Sequence, residues 1–126
     1  MSMRTPLGRV RGLGSAKSGT EHWWLQRVTA IANIPLVIFL VIFVIRHLGA
    51  SRAEIVASIS NPFVAILLAL TFVSVLWHMR LGLQVLIEDY IHGHAAKFAA
   101  LLANSFVTVA LGVAALYAIL KMSFGL

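Results

Sequence analysis

Residues 61–90 read NPFVAILLALTFVSVLWHMRLGLQVLIEDY, and the reading of this stretch decides the fold. No charge interrupts it from Asn61 to Trp77; after His78, Met79 and Arg80 the apolar run resumes from Leu81 to Ile87. Crossing about 30 Å of hydrocarbon at 1.5 Å per residue takes about 20 residues of helix. The stretch reaches that length only if His78 and Arg80 lie within the membrane. Asn61-Pro62 has the form of an N-cap followed by proline at the first helical position. Gly93 is the expected stop at the other end.

Two more apolar runs flank it, Val28–Ile45 and Phe98–Leu120. The composition agrees: of 126 residues, 60% are hydrophobic and only 11% charged, with a mean hydropathy of +0.94. Soluble domains carry about 45–50% apolar and about 25% charged residues. The sequence therefore predicts an all-α integral membrane protein, with three transmembrane helices over about 22–47, 62–91 and 96–121, forming part of a hetero-oligomeric helical bundle. There is no cysteine, so this chain itself supplies no thiol, disulfide or iron–sulfur ligand.

Local signals refine the outline. Ser18 and Glu21 have capping-box spacing ahead of Trp23 and Trp24, which suit a headgroup belt. Pro35 inside the first span predicts a kink or a close contact. Ser51 and Glu54 form a second capping box, and Ile55 and Ile59 lie four apart, so residues 51–59 read as a short helix on the membrane surface. Residues 1–17 read as a flexible basic cytoplasmic tail and 18–126 as the anchor domain.

The formal net charge is +6. Its distribution reports orientation and not nucleic-acid binding. Arg4, Arg9, Arg11, Lys17, Arg27 and Lys97 fall on one side of the three spans, and Arg46, Arg52 and Lys121 on the other. Positive charge favours the cytoplasmic side, so the N-terminus is expected there. A bacterial inner (plasma) membrane is the expected location, with the mitochondrial inner membrane as the alternative.

Polar residues in mid-span carry the functional signal. An arginine at the bilayer centre costs at least about 2.5–3.5 kcal/mol, so Arg80 needs a partner, a cofactor or a cavity. His78 and Asp89 are 11 residues apart. That is within about 20° of three full turns, so both lie on one face, about 16 Å apart along the axis. With Glu88 at the headgroup boundary, His78 falls near the midplane and Asp89 and Tyr90 at the rim. Two readings of His78 stand open: a polar contact between helices, and axial ligation of a haem iron. The other histidines, His22, His47, His92 and His94, fall near span ends, so a six-coordinate haem needs its second ligand from another polypeptide.

Tyr90 is either an interfacial belt residue or a phenolic donor to a quinone carbonyl. Asp89 beside it is either a solvated helix end or a carboxylate that passes protons. Arg27 either anchors the helix end to lipid phosphate or pairs with a buried carboxylate such as a haem propionate. His92 and His94 make a weak metal signal.

The stretch His22-Trp23-Trp24-Leu25-Gln26-Arg27-Val28-Thr29-Ala30, followed by His78-Met79-Arg80-Leu81-Gly82-Leu83-Gln84-Val85-Leu86-Ile87-Glu88-Asp89-Tyr90, resembles the small hydrophobic anchor subunits of succinate dehydrogenase (respiratory complex II), in their alphaproteobacterial D-type form. The resemblance implies that His78 is an axial ligand of haem b shared with a partner anchor chain. It implies that Tyr90 hydrogen-bonds ubiquinone, that Asp89 lines the same site, and that Arg27 lies near a haem propionate and the quinone pocket. The implied partners are a second hydrophobic anchor subunit, an iron–sulfur subunit and a flavoprotein subunit, within a lipid bilayer. This chain alone is not expected to be active. The alternatives are a haem b anchor of a fumarate reductase-type enzyme and a non-redox assembly subunit. Arg80 is expected at the haem edge, a propionate or the partner chain.

Overall fold

In a computed structural model the described residues are 5–12 and 19–125. They form five helices: α1 (Pro6–Val10), α2 (Gly19–Arg46), α3 (Arg52–Ile59), α4 (Pro62–Tyr90) and α5 (His94–Ser123). α2, α4 and α5 are each long and apolar enough to cross a membrane. At 28 to 30 residues they measure about 42–45 Å, which exceeds the hydrocarbon core and carries their ends into the headgroups.

The chain runs up, down and up through α2, α4 and α5. The near end holds the start of α2, the end of α4 and the start of α5, and α3 lies at the far end. α4 is the middle of the array. α2 and α5 each pack along it, but no α2 Cα comes within 8 Å of an α5 Cα. The spans therefore form a layer one helix thick.

Helix ends follow local chemistry. Asn61 caps α4, its side chain accepting from the Phe63 N–H at 2.9 Å, with Pro62 at the first helical position. Ser51 and Glu54 form the full capping box of α3. Two details depart from expectation. α4 ends at Tyr90 with Ile91 as its C-cap, and Gly93, with φ −72°, is the N-cap of α5. Gly93 thus starts a helix and does not stop one, because the connection stays extended and never enters the left-handed region that a glycine stop uses. α3 is also more than a surface helix. Ile59 is 3% exposed and joins Ala65, Leu68 and Ile119 in an apolar core, with Phe39, Leu40, Phe43, Ile55 and Met122 packed around it.

α2 stays helical through Pro35, which has no N–H to offer the ladder. The Ser18 half of the expected α2 capping box lies outside the described residues, as does most of the basic tail. Within that tail, Thr5 caps the short α1.

Candidate functional site

Besides the charged Glu21, Arg27 and Arg46, α2 carries a polar stripe of His22, Gln26, Thr29 and Asn33, spaced four, three and four apart. That spacing lines one helical face. α4 presents Ser74 and His78 to it. Ser74 Oγ donates to Asn33 Oδ1 at 2.7 Å, and His78 Nδ1 lies 3.0 Å from Thr29 Oγ1. Each contact sits four residues further along α2 and four residues back along α4, which is antiparallel register. By this register His22 stands opposite Val85, and Arg27 opposite Arg80.

The Thr29 hydroxyl has one hydrogen. The Leu25 carbonyl is its nearest acceptor at 2.8 Å, with the Gln26 carbonyl at 3.2 Å. With the hydrogen on that carbonyl, the contact with His78 runs the other way, the ring donating its Nδ1–H to the Thr29 oxygen. In a neutral imidazole that leaves the lone pair on Nε2. Nε2 makes no hydrogen bond among the described residues and is not among the sealed polar atoms. His78 itself is half-buried. A fixed ring with one free lone pair, deep in an apolar layer, has the chemistry of a metal ligand. No cluster of three or more metal-binding side chains occurs among the described residues. His78 is therefore a single imidazole with one open nitrogen and not part of a side-chain cage among the described residues.

Asp89 and Tyr90 close the near end of α4. Both are exposed, Tyr90 at 78%, and neither has a hydrogen-bond partner among the described residues. Asp89 keeps the expected stripe, about 16 Å from the His78 level. Arg27 is exposed, with its guanidinium 5.6 Å from the Trp23 ring centroid. Its level in the register is about 3 Å from that of His78 and about 15 Å from that of Tyr90. These four residues fall in the near-end halves of α2 and α4 but are not brought into mutual contact.

Arg80 faces elsewhere. Two residues past His78 it is turned by about 200°, and it meets α5. Its Nη2 lies 3.4 Å from Ser105 Oγ and its guanidinium 5.5 Å from the Trp77 ring centroid. Asn104 donates from Nδ2 to the Arg80 carbonyl at 3.0 Å, and its buried Oδ1 has no partner among the described residues. Arg80 thus belongs to the α4–α5 seam on the opposite flank of α4 from His78.

Thr29, Asn33 and Ser74 were not singled out from the sequence. The signal that could have found them is the four-three-four stripe ending on Asn33. His22 heads that stripe, and its Nε2 is sealed and unpartnered. It stands between shallow grooves lined by Leu25 and Leu81 on one side and by Gln84 and Glu88 on the other.

The family model of the succinate dehydrogenase/fumarate reductase transmembrane subunit matches residues 1–112. The succinate dehydrogenase hydrophobic membrane anchor subunit of Paracoccus denitrificans is 35% identical over 121 residues, covering 96% of this chain and 93% of the relative. The succinate dehydrogenase membrane anchor subunit of Reclinomonas americana is 37% identical over 84 residues, 64% of this chain and 70% of the relative. The hydrophobic membrane anchor subunit of Rickettsia bellii is 36% identical over 88 residues, 70% of each chain. No solved structure matches. Three apolar helices, an open histidine at depth and near-full-length similarity to these anchors converge: the chain belongs to the succinate dehydrogenase/fumarate reductase transmembrane subunit family.

Proposed function

We propose that the chain anchors a succinate:quinone oxidoreductase in the membrane, supplies one axial ligand of haem b through His78 Nε2, and forms part of the ubiquinone-reduction site through Tyr90 and Asp89. The observation that carries this reading is the half-buried His78 ring, with Nδ1 committed and Nε2 free. His78 would hold the haem iron through this one nitrogen, and a second protein ligand would come from a partner anchor chain. When bound, haem b provides a one-electron store at the depth of His78.

The residues at the rim then act on the quinone. Tyr90 donates its phenolic O–H to a ubiquinone carbonyl, an orientation its exposure and lack of other partners leave open. Asp89 lies at the wet end of the same helix and passes protons, two of which join two electrons to make ubiquinol. Arg27 sits at the right depth to pair with a haem propionate. The electrons come from succinate oxidation on a flavoprotein through an iron–sulfur subunit, since this chain has no cysteine. The near end faces the cytoplasm, where the positive residues gather, in a bacterial inner membrane.

The test is to purify the complex through a tag on this chain. The expected result is co-purification of a flavoprotein, an iron–sulfur protein and a second small membrane chain, with a b-type reduced-minus-oxidised spectrum. In Tyr90→Phe, kcat/KM for ubiquinone is expected to fall about tenfold, the worth of one lost hydrogen bond of about 1.4 kcal/mol. Succinate oxidation with an artificial acceptor stays unchanged. Equal losses in the two assays would leave Tyr90 as a belt residue.

A further inference from the structure

We propose that Thr29 is the positioning residue that sets the tautomer and the ring angle of His78, and through them the potential of the haem iron. The inference rests on His78 being an axial ligand. Its basis is a hydrogen-bond chain whose direction is favoured by the acceptors around the Thr29 hydroxyl. The Leu25 carbonyl, 2.8 Å from the Thr29 oxygen, is the nearer acceptor for the only hydrogen of that hydroxyl. With that hydrogen on the carbonyl, the Thr29 oxygen, 3.0 Å from His78 Nδ1, accepts from the ring. Had the hydroxyl donated to Nδ1, the proton would sit on Nε2 and the ring could not bind iron. The backbone carbonyl of α2 therefore selects, through Thr29, the tautomer that ligates.

Two features keep this chain in place. α2 packs along α4 over much of its length, which keeps Thr29 opposite His78 without relying on the neighbouring Ser74–Asn33 rung at 2.7 Å. The threonine methyl and backbone fix the hydroxyl rotamer that returns to the preceding turn. A hydrogen bond from Nδ1–H to an acceptor also makes the imidazole a stronger donor to the metal. A stronger donor favours the ferric ion. Loss of the Thr29 oxygen should therefore raise the midpoint potential.

The experiment uses the whole complex in membranes or detergent. Thr29→Val keeps the shape and removes the acceptor. The expected result is retained haem with a ferrous-to-ferric ratio at fixed potential raised up to tenfold, equivalent to about 59 mV for one electron. A shifted low-spin EPR signal accompanies it. Thr29→Ser, which keeps the hydroxyl, returns both readouts to wild type. Thr29→Ala serves if the valine variant does not assemble. Ser74→Ala removes the neighbouring rung without touching His78 and is expected to leave the potential unchanged. A wild-type potential and EPR spectrum in Thr29→Val or Thr29→Ala, with haem absent from His78→Ala, overturns the role of Thr29 alone. An equal shift in Ser74→Ala overturns it too, since packing would then be the cause. Wild-type haem in His78→Ala overturns the ligand reading and this inference with it.

Discussion

Two histidines show how the two ends of the molecule differ. His47, at the far end, is closed. In its neutral form the ring donates from Nδ1 to the Phe43 carbonyl at 2.8 Å and accepts at Nε2 from the Ser58 hydroxyl at 2.7 Å, while it stacks on Phe43 with centroids 4.3 Å apart. His78, toward the near end, is open, with only Nδ1 engaged. Residue type is shared, although His47 lies just past the end of α2 and His78 in the middle of α4. What differs is whether the second nitrogen is spent inside the chain. A spent imidazole is a structural cross-link, here tying the end of α2 to α3. An unspent one is a site. The same contrast extends to their surroundings: the far end is plugged by Ile59, Ala65, Leu68 and Ile119, and the α2–α4 seam around His78 is a ladder of polar side chains.

The largest expected effect separates the two rings directly. His78→Ala should abolish the b-type difference spectrum while all three spans remain inserted. His47→Ala should leave that spectrum intact and lower stability by about 1–2 kcal/mol, through the loss of two hydrogen bonds. Thermal unfolding of the detergent-solubilised complex reads the second change. Loss of haem in both variants would erase the distinction.

Next in size is the rim. Asp89→Asn is expected to slow ubiquinone reduction several-fold, with a steeper fall as pH rises, because the proton-passing carboxylate is gone. A flat pH–rate profile at the wild-type level would remove Asp89 from the proton path.

Smaller again is Ser58→Ala, which leaves His47 Nε2 without its donor. About 1 kcal/mol of stability is expected to go, with no change at His78. The smallest effect is a pH dependence at the far end. The Ser51 backbone N–H and hydroxyl, at 2.7 and 2.9 Å, hold the Glu54 carboxyl below the usual carboxylate range. A lowered folded-state pKa adds stability above the ordinary value that is lost as pH falls through the lowered one. Hydrogen exchange over α3 should therefore quicken on acidification below the carboxylate range. In Glu54→Gln that acid response should disappear.

Much of this was legible in the sequence. Length and hydropathy fixed the three spans, and Asn61-Pro62 and Ser51/Glu54 marked helix starts that the structure forms as expected. Gly93 misled because glycine is common at both helix ends, and only the backbone angle tells a stop from a start. His78 and Asp89 shared a stripe by arithmetic alone. Thr29, Asn33 and Ser74 were harder to read. Hydroxyls in apolar helices routinely bond back to their own carbonyls, as Thr71 and Thr108 do at 2.7 Å, so residue type does not say which one also meets a neighbour. That Arg80 belongs to the α5 flank follows from its 200° offset from His78, but the presence of Ser105 and Asn104 opposite it needed the register of α5.

The central place of α4 has a consequence for biogenesis. Synthesis delivers α2 to the bilayer before any segment it packs along exists, and Asn33 crosses oil without Ser74 to answer it. The arrival of α4 supplies Ser74 to Asn33, and α5 then joins the other flank, its backbone staying beyond 8 Å of α2 and sharing only the far-end core with it. A nascent chain halted after α3 would hold a lone hairpin arm, and every later contact of the spans depends on one helix being threaded at the right depth.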